Sequence, residues 1–418
     1  MAKARGFFAG SQIRRAAPPS LLPQCGACGL YKICRTPKIP VGGEGERRVL
    51  FVGSHPTPDD DVPQQGGGDV VRHFTGPGGR LLRTRMKGMG FNLDRDAWMT
   101  NALICAPPKG RDPTSAEVQH CAPNMREAVE TLSPDIIIPM GKAAVASVLG
   151  VVWKEDPGKV EKWVGWRIPA QNINAWICPT WDPATIVQDG DPVIDRQFDD
   201  HVRTAISLEG KPWDPVPDWR NDVTLVTDPD KAAAWLRKCA ENGRQGAVAF
   251  DYECNMLKPD GPDAKIVSCS VAYGRGRVPT RCIAYPWHGE AIKATGELLR
   301  SPIPKIAANM KFEDRWTRMA FGHRVRNLVW DTCIAAHVAD NRVGITSVKF
   351  QAFVRCGVPP WNQHIEPFLK TKGDVRVNRI LREIDIKDLL TYNGLDSLLE
   401  YRVAVEQMDE MGVALPWE

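Results

Sequence analysis

Val248-Ala249-Phe250-Asp251-Tyr252-Glu253 is the stretch on which the reading of this chain turns. Apolar residues run into two carboxylates two positions apart. On a strand, residues i and i+2 point to one face, so Asp251 and Glu253 converge. A lone D-x-E often does no more than end a strand, so its meaning depends on what else reaches the same place. Ile306-Ala307-Ala308-Asn309-Met310-Lys311-Phe312-Glu313-Asp314 reads as a strand entering a helix with carboxylates in its first turn. Tyr392-Asn393-Gly394-Leu395-Asp396 opens the final helical stretch, and its i, i+4 spacing sets Tyr392 and Asp396 on one helix face. Four carboxylates in one site repel one another unless hard divalent cations neutralise them. Two-metal phosphodiester hydrolysis needs that arrangement, with ions about 3.5–4 Å apart stabilising the attacking and leaving oxygens. The tyrosine hydroxyl can orient the attacking water.

Working outward, strand and helix patterns alternate on both sides of this stretch. Residues 223–227 read as a strand, 229–241 as a helix and 247–251 as a strand. Residues 266–273 and 281–285 read as a meander, and the remainder is mostly helical, ending in a long helix over about 386–411. Upstream, residues 209–222 (EGKPWDPVPDWRND) hold three prolines and two tryptophans with little periodicity, and read as an interdomain linker. Before them, Val49-Leu50-Phe51-Val52 is a short apolar strand followed by a Gly/Pro/Asp-rich loop over 53–79. A helix is expected over 81–89, an extended segment over 98–105, and an amphipathic helix over 115–132 capped by Thr114 or Ser115. Asp135-Ile136-Ile137-Ile138-Pro139-Met140-Gly141 is a buried strand, then a short helix over 142–149 and a strand over 175–178. Such alternation predicts an α/β domain with a largely parallel sheet. The domains expected are a basic mobile arm (1–24), a first domain (25–208), the linker (209–222) and a second domain (223–418).

A length of 418 residues exceeds what one core usually holds, which agrees with two domains. With 43% hydrophobic and 25% charged residues, the composition is globular rather than disordered. No apolar run approaches the ~18 residues of a membrane helix, and the start (MAKARGFFAGSQIRRAAPPS) lacks a secretion signal's apolar core. A cytoplasmic protein with no membrane partner is the expectation. The net charge of +4 announces no global basic field. Locally, nine Lys/Arg in residues 1–48 and six between Arg72 and Arg95 can meet phosphates. Twelve cysteines in a chain this long form no disulfide framework, so a cluster of them at fixed spacing points to metal.

Cys25-Gly26-Ala27-Cys28 is such a pair, with Cys105 and Cys121 sixteen residues apart downstream. Four thiolates suit tetrahedral zinc or a [4Fe–4S] cluster equally well, and Cys34 is a fifth thiol able to replace one of them. Around them lie Phe74-Thr75-Gly76-Pro77-Gly78-Gly79, Thr100-Asn101-Ala102-Leu103-Ile104-Cys105-Ala106-Pro107 and Pro134-Asp135 through Gly141. In order and spacing, these stretches resemble the iron–sulfur branch of the uracil-DNA glycosylase superfamily over residues 25–205. The resemblance implies a three-layer α/β/α domain with a four-stranded parallel sheet. It also implies a mainly structural [4Fe–4S] cluster on Cys25, Cys28, Cys105 and Cys121, and a pocket where Phe74 stacks on a flipped base and Asn101 pairs with its edge. Two catalytic signatures depart from the family. In place of G-E-x-P-G stands Gly53-Ser54-His55-Pro56-Thr57, followed by Asp59-Asp60-Asp61, and in place of H-P-S stands Asp182-Pro183-Ala184. A carboxylate facing an incipient uracil anion repels it, where a histidine stabilises it. His55 is the group able to compensate. Little or no uracil excision is expected, with the module binding DNA or a polymerase.

In the second half, D-x-E, N-x-K-F-E, Trp330-Asp331-Thr332 and Y-x-x-x-D follow in the order of the DEDDy 3′–5′ exonucleases of the ribonuclease H-like superfamily. They resemble most the proofreading domain of family A DNA polymerases, over residues 223–418, which implies a mixed-sheet α/β fold. The resemblance makes Asp251, Glu253, Glu313 and Asp396 ligands of two Mg²⁺ or Mn²⁺ and Tyr392 the water-orienting residue. Asp314 is the fallback for Glu313, and Asn309 and Asp331 stand in supporting positions. Because the sequence stops at Glu418, any synthesis is expected from another chain. The leading expectation is a 3′–5′ DNA exonuclease acting on single-stranded or frayed 3′ ends, proofreading in trans for a separate polymerase in a bacterial or phage-infected cell. Two alternatives stand beside it: a largely non-catalytic polymerase accessory factor, and a bifunctional glycosylase/exonuclease.

Overall fold

The computed structural model describes residues 23–61, 73–153, 156–211, 218–243, 245–279, 281–369 and 377–418. Most of the basic arm, residues 62–72 of the glycine-rich loop and residues 212–217 of the linker therefore lie outside the described residues. The chain divides into two compact units, Met1–Pro215 and Val216–Glu418. Among the described residues no helix is long and apolar enough to cross a membrane.

The first unit is built on five strands: β1 (Val49–Gly53), β2 (Ala97–Asn101), β3 (Ile136–Pro139), β4 (Ile168–Ala170) and β5 (Ala175–Ile177), in spatial order β2-β1-β3-β5-β4. The pairings β1–β2, β1–β3 and β3–β5 are parallel. Val49 to Val52 and Ile136 to Ile138 are wholly buried, because a parallel strand covered on both faces has no polar side to alternate with. The four-stranded expectation needs one correction. A fifth strand, β4, pairs antiparallel with β5 at the sheet edge. It is three residues long and centred on Pro169, which an edge position tolerates and a sequence pattern hides. The register Gly53↔Asn101 brings the ends of β1 and β2 side by side at the carboxyl edge of the sheet, where open α/β sheets place their ligands. The helix Ser115–Leu132 starts on a capping box, with the Thr114 hydroxyl and the Glu117 carboxylate each bonding the other's backbone N–H.

The second unit has a six-stranded mixed sheet: β6 (Val223–Leu225), β7 (Ala247–Cys254), β8 (Ile266–Gly274), β9 (Arg281–Pro286), β10 (Lys305–Ala307) and β11 (Leu328–Asp331), in order β11-β10-β7-β8-β9-β6. β7, β8 and β9 form the antiparallel meander, and β10 joins β7 in parallel. The two-residue period of β7 divides its side chains. Val248, Phe250 and Tyr252 enter a core with Leu236, Tyr285 and Leu298, while Asp251 and Glu253 face the other way. On that second face lies the helix Ile386–Glu410. Gly394 lets it approach, since a Cβ there would stand 2.3 Å from Val223 Cγ1. Its rotation is fixed by the Ser268 hydroxyl donating to Asn393 Oδ1 at 3.0 Å and the Ser270 hydroxyl donating to the Asn393 carbonyl at 2.7 Å.

Candidate active site, cysteine centre and base pocket

In the second unit, one carboxylate oxygen each from Asp251, Glu253 and Asp396 lies within 4.8 Å of the others. The strand period supplies the first two and the final helix the third. Asn393 Nδ2 donates to Asp251 Oδ2 at 2.8 Å, and Asp396 Oδ1 accepts from Lys349 Nζ at 2.5 Å and Trp361 Nε1 at 3.1 Å. Lys349 Nζ also donates to Tyr392 Oη at 3.0 Å and sits 4.8 Å from the centre of that ring. Burial pushes Asp251 up to about 8, with Asp396 adding to it and Lys349 and Asn393 pulling back. Burial, then Asp251, raises Glu253 well above the usual carboxylate range. Burial would lower Lys349, but the charges of Asp396, Asp251 and Glu253 outweigh it and keep the ammonium protonated. Tyr392 is raised far above its ordinary value by burial and then by Asp396, so it stays a neutral phenol.

Glu313 and Asp314, adjacent in sequence, part company. Glu313 is 2% exposed, its Oε2 has no hydrogen-bond partner, and it feels the charges of Asp251, Glu400 and Glu253, although it stands outside the close trio. Asp314 is committed elsewhere, to the Arg318 guanidinium and the Val325 backbone N–H. Asn309 is exposed at the start of the helix Met310–Phe321, with φ of 55°. Asp331 accepts from the backbone N–H groups of Asn309, Met310, Cys333 and Ile334. It therefore caps one helix and anchors the start of the helix that carries Glu313. Sequence reading missed Lys349, Trp361 and Glu400. They belong to no motif, although a lysine near the start of a helix rich in apolar residues, Val348–Cys356, was a weak signal. The donor set, all carboxylate oxygens, suits hard divalent cations.

In the first unit, Cys25, Cys28, Cys105 and Cys121 line one pocket together with Leu30, Tyr31, Lys38, Leu103, Ile104, His120 and Asn124. The Lys38 backbone N–H donates to Cys105 Sγ at 3.3 Å and Asn124 Nδ2 to Cys121 Sγ at 3.4 Å. Burial pushes the Cys105 thiol up to about 12, so a thiolate there calls for a positive centre. Four thiols lining one pocket, two of them, Cys105 and Cys121, with N–H···S support, suit a thiolate-ligated metal centre. Cys34 lies beside Cys105 but does not line the pocket.

The candidate base pocket is at the ends of β1 and β2. A Cβ on Gly53 would stand 2.4 Å from Asn101 Oδ1 and 2.6 Å from Phe74 Cε1, so the bare glycine lets amide and ring approach the backbone. His73, buried and absent from the sequence reading, sits 2.7 Å through Nε2 from the Pro40 carbonyl and 3.5 Å through Nδ1 from Asn101 Nδ2. Because a carbonyl only accepts, Nε2 carries the proton and Nδ1 faces the Asn101 amide N–H. The residues at the departed signatures are engaged in structure. Asp182 Oδ1 caps the helix Pro183–Asp189 through the Ala184 N–H, and burial raises its pKa. Asp60 accepts from the backbone and hydroxyl of both Thr57 and Thr75, and Asp61 from the Arg35 and Thr36 N–H groups. Asp59 pairs with Arg80 at 3.5 Å. His55 Nδ1 is 3.1 Å from Ser54 Oγ, and burial lowers its pKa.

Residues 39–203 match the uracil DNA glycosylase superfamily, and residues 223–359 match the 3′–5′ exonuclease of the DNA polymerase A type. Cys25, Cys28, Tyr392 and Asp396 fall outside both matched ranges, so their company with the rest comes from the structure. A type-4 uracil-DNA glycosylase of Saccharolobus solfataricus is 29% identical over 193 residues, 45% of this chain and 84% of that protein. A DNA polymerase of Bacillus phage SP01 is 26% identical over 340 residues, 72% of this chain and 34% of the polymerase. That share exceeds the 215 residues of the larger unit, so the match reaches both units. The crystal structure of the RRP6 catalytic core from Trypanosoma brucei matches with TM-score 0.32 and 18% identity, over 44% of this chain and 46% of that one.

Proposed function

We infer the function from the premise that this chain carries a uracil DNA glycosylase superfamily domain over residues 39–203 and a 3′–5′ exonuclease domain over residues 223–359. The protein is a divalent-metal-dependent 3′–5′ DNA exonuclease of the DEDDy type that proofreads in trans for a separate polymerase. Its glycosylase-like domain binds DNA or that polymerase and excises little or no uracil. One observation carries the reading: the oxygens of Asp251, Glu253 and Asp396 lie within 4.8 Å of one another. Asp251, Glu253, Glu313 and Asp396 would hold two Mg²⁺ or Mn²⁺. Such ions, when bound, neutralise the scissile phosphate and acidify the attacking water. Asn393 holds Asp251 and Lys349 holds Asp396. Lys349 donates to the Tyr392 oxygen and the phenol is hydrogen-bonded to Asp396, which fixes the hydroxyl beside the carboxylates, where it can orient that water. Cys25, Cys28, Cys105 and Cys121 would hold a [4Fe–4S] cluster that ties residues 23–38 to the domain. The polymerase partner draws support from the phage DNA polymerase matched across both units.

Loss of excision draws support from the engagement of Asp182, Asp60 and Asp61, which leaves the pocket without a catalytic acid or a cationic histidine from those signatures. The test is incubation of 3′-labelled single-stranded, frayed and blunt duplex DNA with Mg²⁺ or Mn²⁺, and separately with chelator. Metal-dependent release of 3′ nucleotides, fastest from single-stranded or frayed ends, is expected. Release from 5′ ends, or release that persists in chelator, would refute the reading.

A further inference from the structure

Glu400 belongs to none of the sequence motifs. It stands four residues beyond Asp396 on the helix Ile386–Glu410, and therefore on the same helix face. Its side chain is 2% exposed and its Oε2 has no hydrogen-bond partner. After burial, it feels the charges of Asp251, Asp396 and Asp331, and Glu313, with an equally unpartnered buried oxygen, feels the charge of Glu400. A buried carboxylate oxygen of this kind is satisfied only by a proton or by a cation.

Asp396 shows why a cation is the better fit. Its Oδ1 is already committed to two donors, Lys349 Nζ and Trp361 Nε1. Half of one expected ligand is thus withdrawn from metal binding, and one helical turn away on the same face stands a buried acid with an unpartnered oxygen. Asp331, the other acid near Glu400, is occupied by four backbone N–H groups and is no competitor. The charges agree. With every carboxyl ionised, Asp251, Glu253, Glu313, Asp396 and Glu400 with the Lys349 ammonium leave four net negative charges, which two divalent cations balance. Without Glu400 only three remain.

We propose that Glu400 is a fifth carboxylate of the divalent-metal site, supplying the ligand oxygen that Lys349 and Trp361 take from Asp396. The inference rests on the exonuclease reading above. In this chain the ammonium and the extra acid form a compensating pair, so that removing both disturbs the site less than removing the acid alone.

The experiment is Mn²⁺ binding to the full-length protein freed of divalent metal, followed by calorimetry and by the electron-spin signal of unbound Mn²⁺. Wild type is expected to take up two Mn²⁺. Glu400→Gln, which keeps shape and removes charge, should lose one ion or weaken it at least tenfold, and Glu400→Asp should fall between. Lys349→Met combined with Glu400→Gln should recover part of the loss, because Asp396 Oδ1 is released. Two ions bound by Glu400→Gln with wild-type affinity would overturn the inference while leaving the exonuclease reading intact. No Mn²⁺ bound by wild type would overturn both. Melting in chelator separates misfolding from lost ligation: Glu400→Gln should melt at or above wild type there, since it removes a buried like charge.

Discussion

Replacing Lys349 with methionine removes the ammonium from a site of buried carboxylates while leaving its volume filled. Lys349 Nζ bonds Asp396 at 2.5 Å, with side chains 23% and 8% exposed, and it lies over the rings of Tyr392 and Trp361. Breaking a buried pair by deleting one partner costs about 3–5 kcal/mol. The partial exposure of the lysine and the capacity of the acids to take up protons reduce this to roughly 2–4 kcal/mol. For a unit of this size, each kcal/mol moves the melting temperature by about 2–4 °C, so a fall of roughly 4–16 °C is expected in chelator. Divalent metal supplies the missing positive charge and stabilises the folded form by mass action, so the gap should narrow sharply at millimolar Mg²⁺ or Mn²⁺. Scanning calorimetry of wild type and Lys349→Met, each with chelator and with metal, reads both effects in the transition that responds to metal. A variant that melts with wild type in chelator, or a gap that metal leaves unchanged, would show that Lys349 does not neutralise these carboxylates.

Three further outcomes are expected. Arg111 beside Glu117, bonding it at 2.6 and 3.0 Å, holds that carboxyl down at about 2 despite burial, so its stabilisation is complete above the ordinary carboxylate range and is lost as pH falls toward 2. Glu117→Gln should therefore cost about 1–2 kcal/mol in urea unfolding at pH 7, and the difference should vanish in acid, whereas a gap constant with pH would contradict it. Anaerobically purified protein should carry about four irons per chain, lost on replacing Cys25, Cys28, Cys105 or Cys121 by serine and kept with Cys34→Ser, while a single stoichiometric zinc would reverse the choice of metal. With the nuclease silenced by Asp251→Ala, a uracil-containing strand should yield no alkali-labile sites, since losing one electrostatic contact of this kind costs ~10²–10³ in rate. Sites formed at multiple turnover and abolished by Asn101→Ala would favour a bifunctional enzyme.

The elements legible in the sequence were those with a strong local signature. The amphipathic period of residues 115–132, with a cap at Thr114 or Ser115, and the apolar runs of β1 and β3 left little choice of structure, and the structure selects Thr114 as the cap. The D-x-E spacing placed Asp251 and Glu253 on one face because a strand permits nothing else. What escaped was short or tertiary. β4 has three residues and a central proline, and β11 is four residues of half-exposed edge whose last member, Asp331, also caps the next helix. Lys349 and Trp361 reach Asp396 only through the packing of a helix and a loop distant in sequence, while Glu400 lies one helical turn beyond Asp396 but belongs to no motif. His73 was hidden similarly, since its partners are Pro40 and Asn101, 33 and 28 residues away. The engagement of Asp60 and Asp61 by backbone N–H groups is likewise invisible in a run of three aspartates.

We propose that Asp251, Glu253 and Asp396, joined by Glu313, form a metal-dependent site for removing 3′ nucleotides. The measurement is the single-turnover rate of 3′-nucleotide release from labelled single-stranded DNA by wild type, Asp251→Asn and Tyr392→Phe, with Mg²⁺ and with chelator. Loss of release in chelator and in Asp251→Asn, with a smaller loss in Tyr392→Phe, is the result expected, because the first two remove the cations' seat and the third only a water-orienting hydroxyl. Release by Asp251→Asn at the wild-type rate, in a protein that retains its fold by circular dichroism, would contradict it.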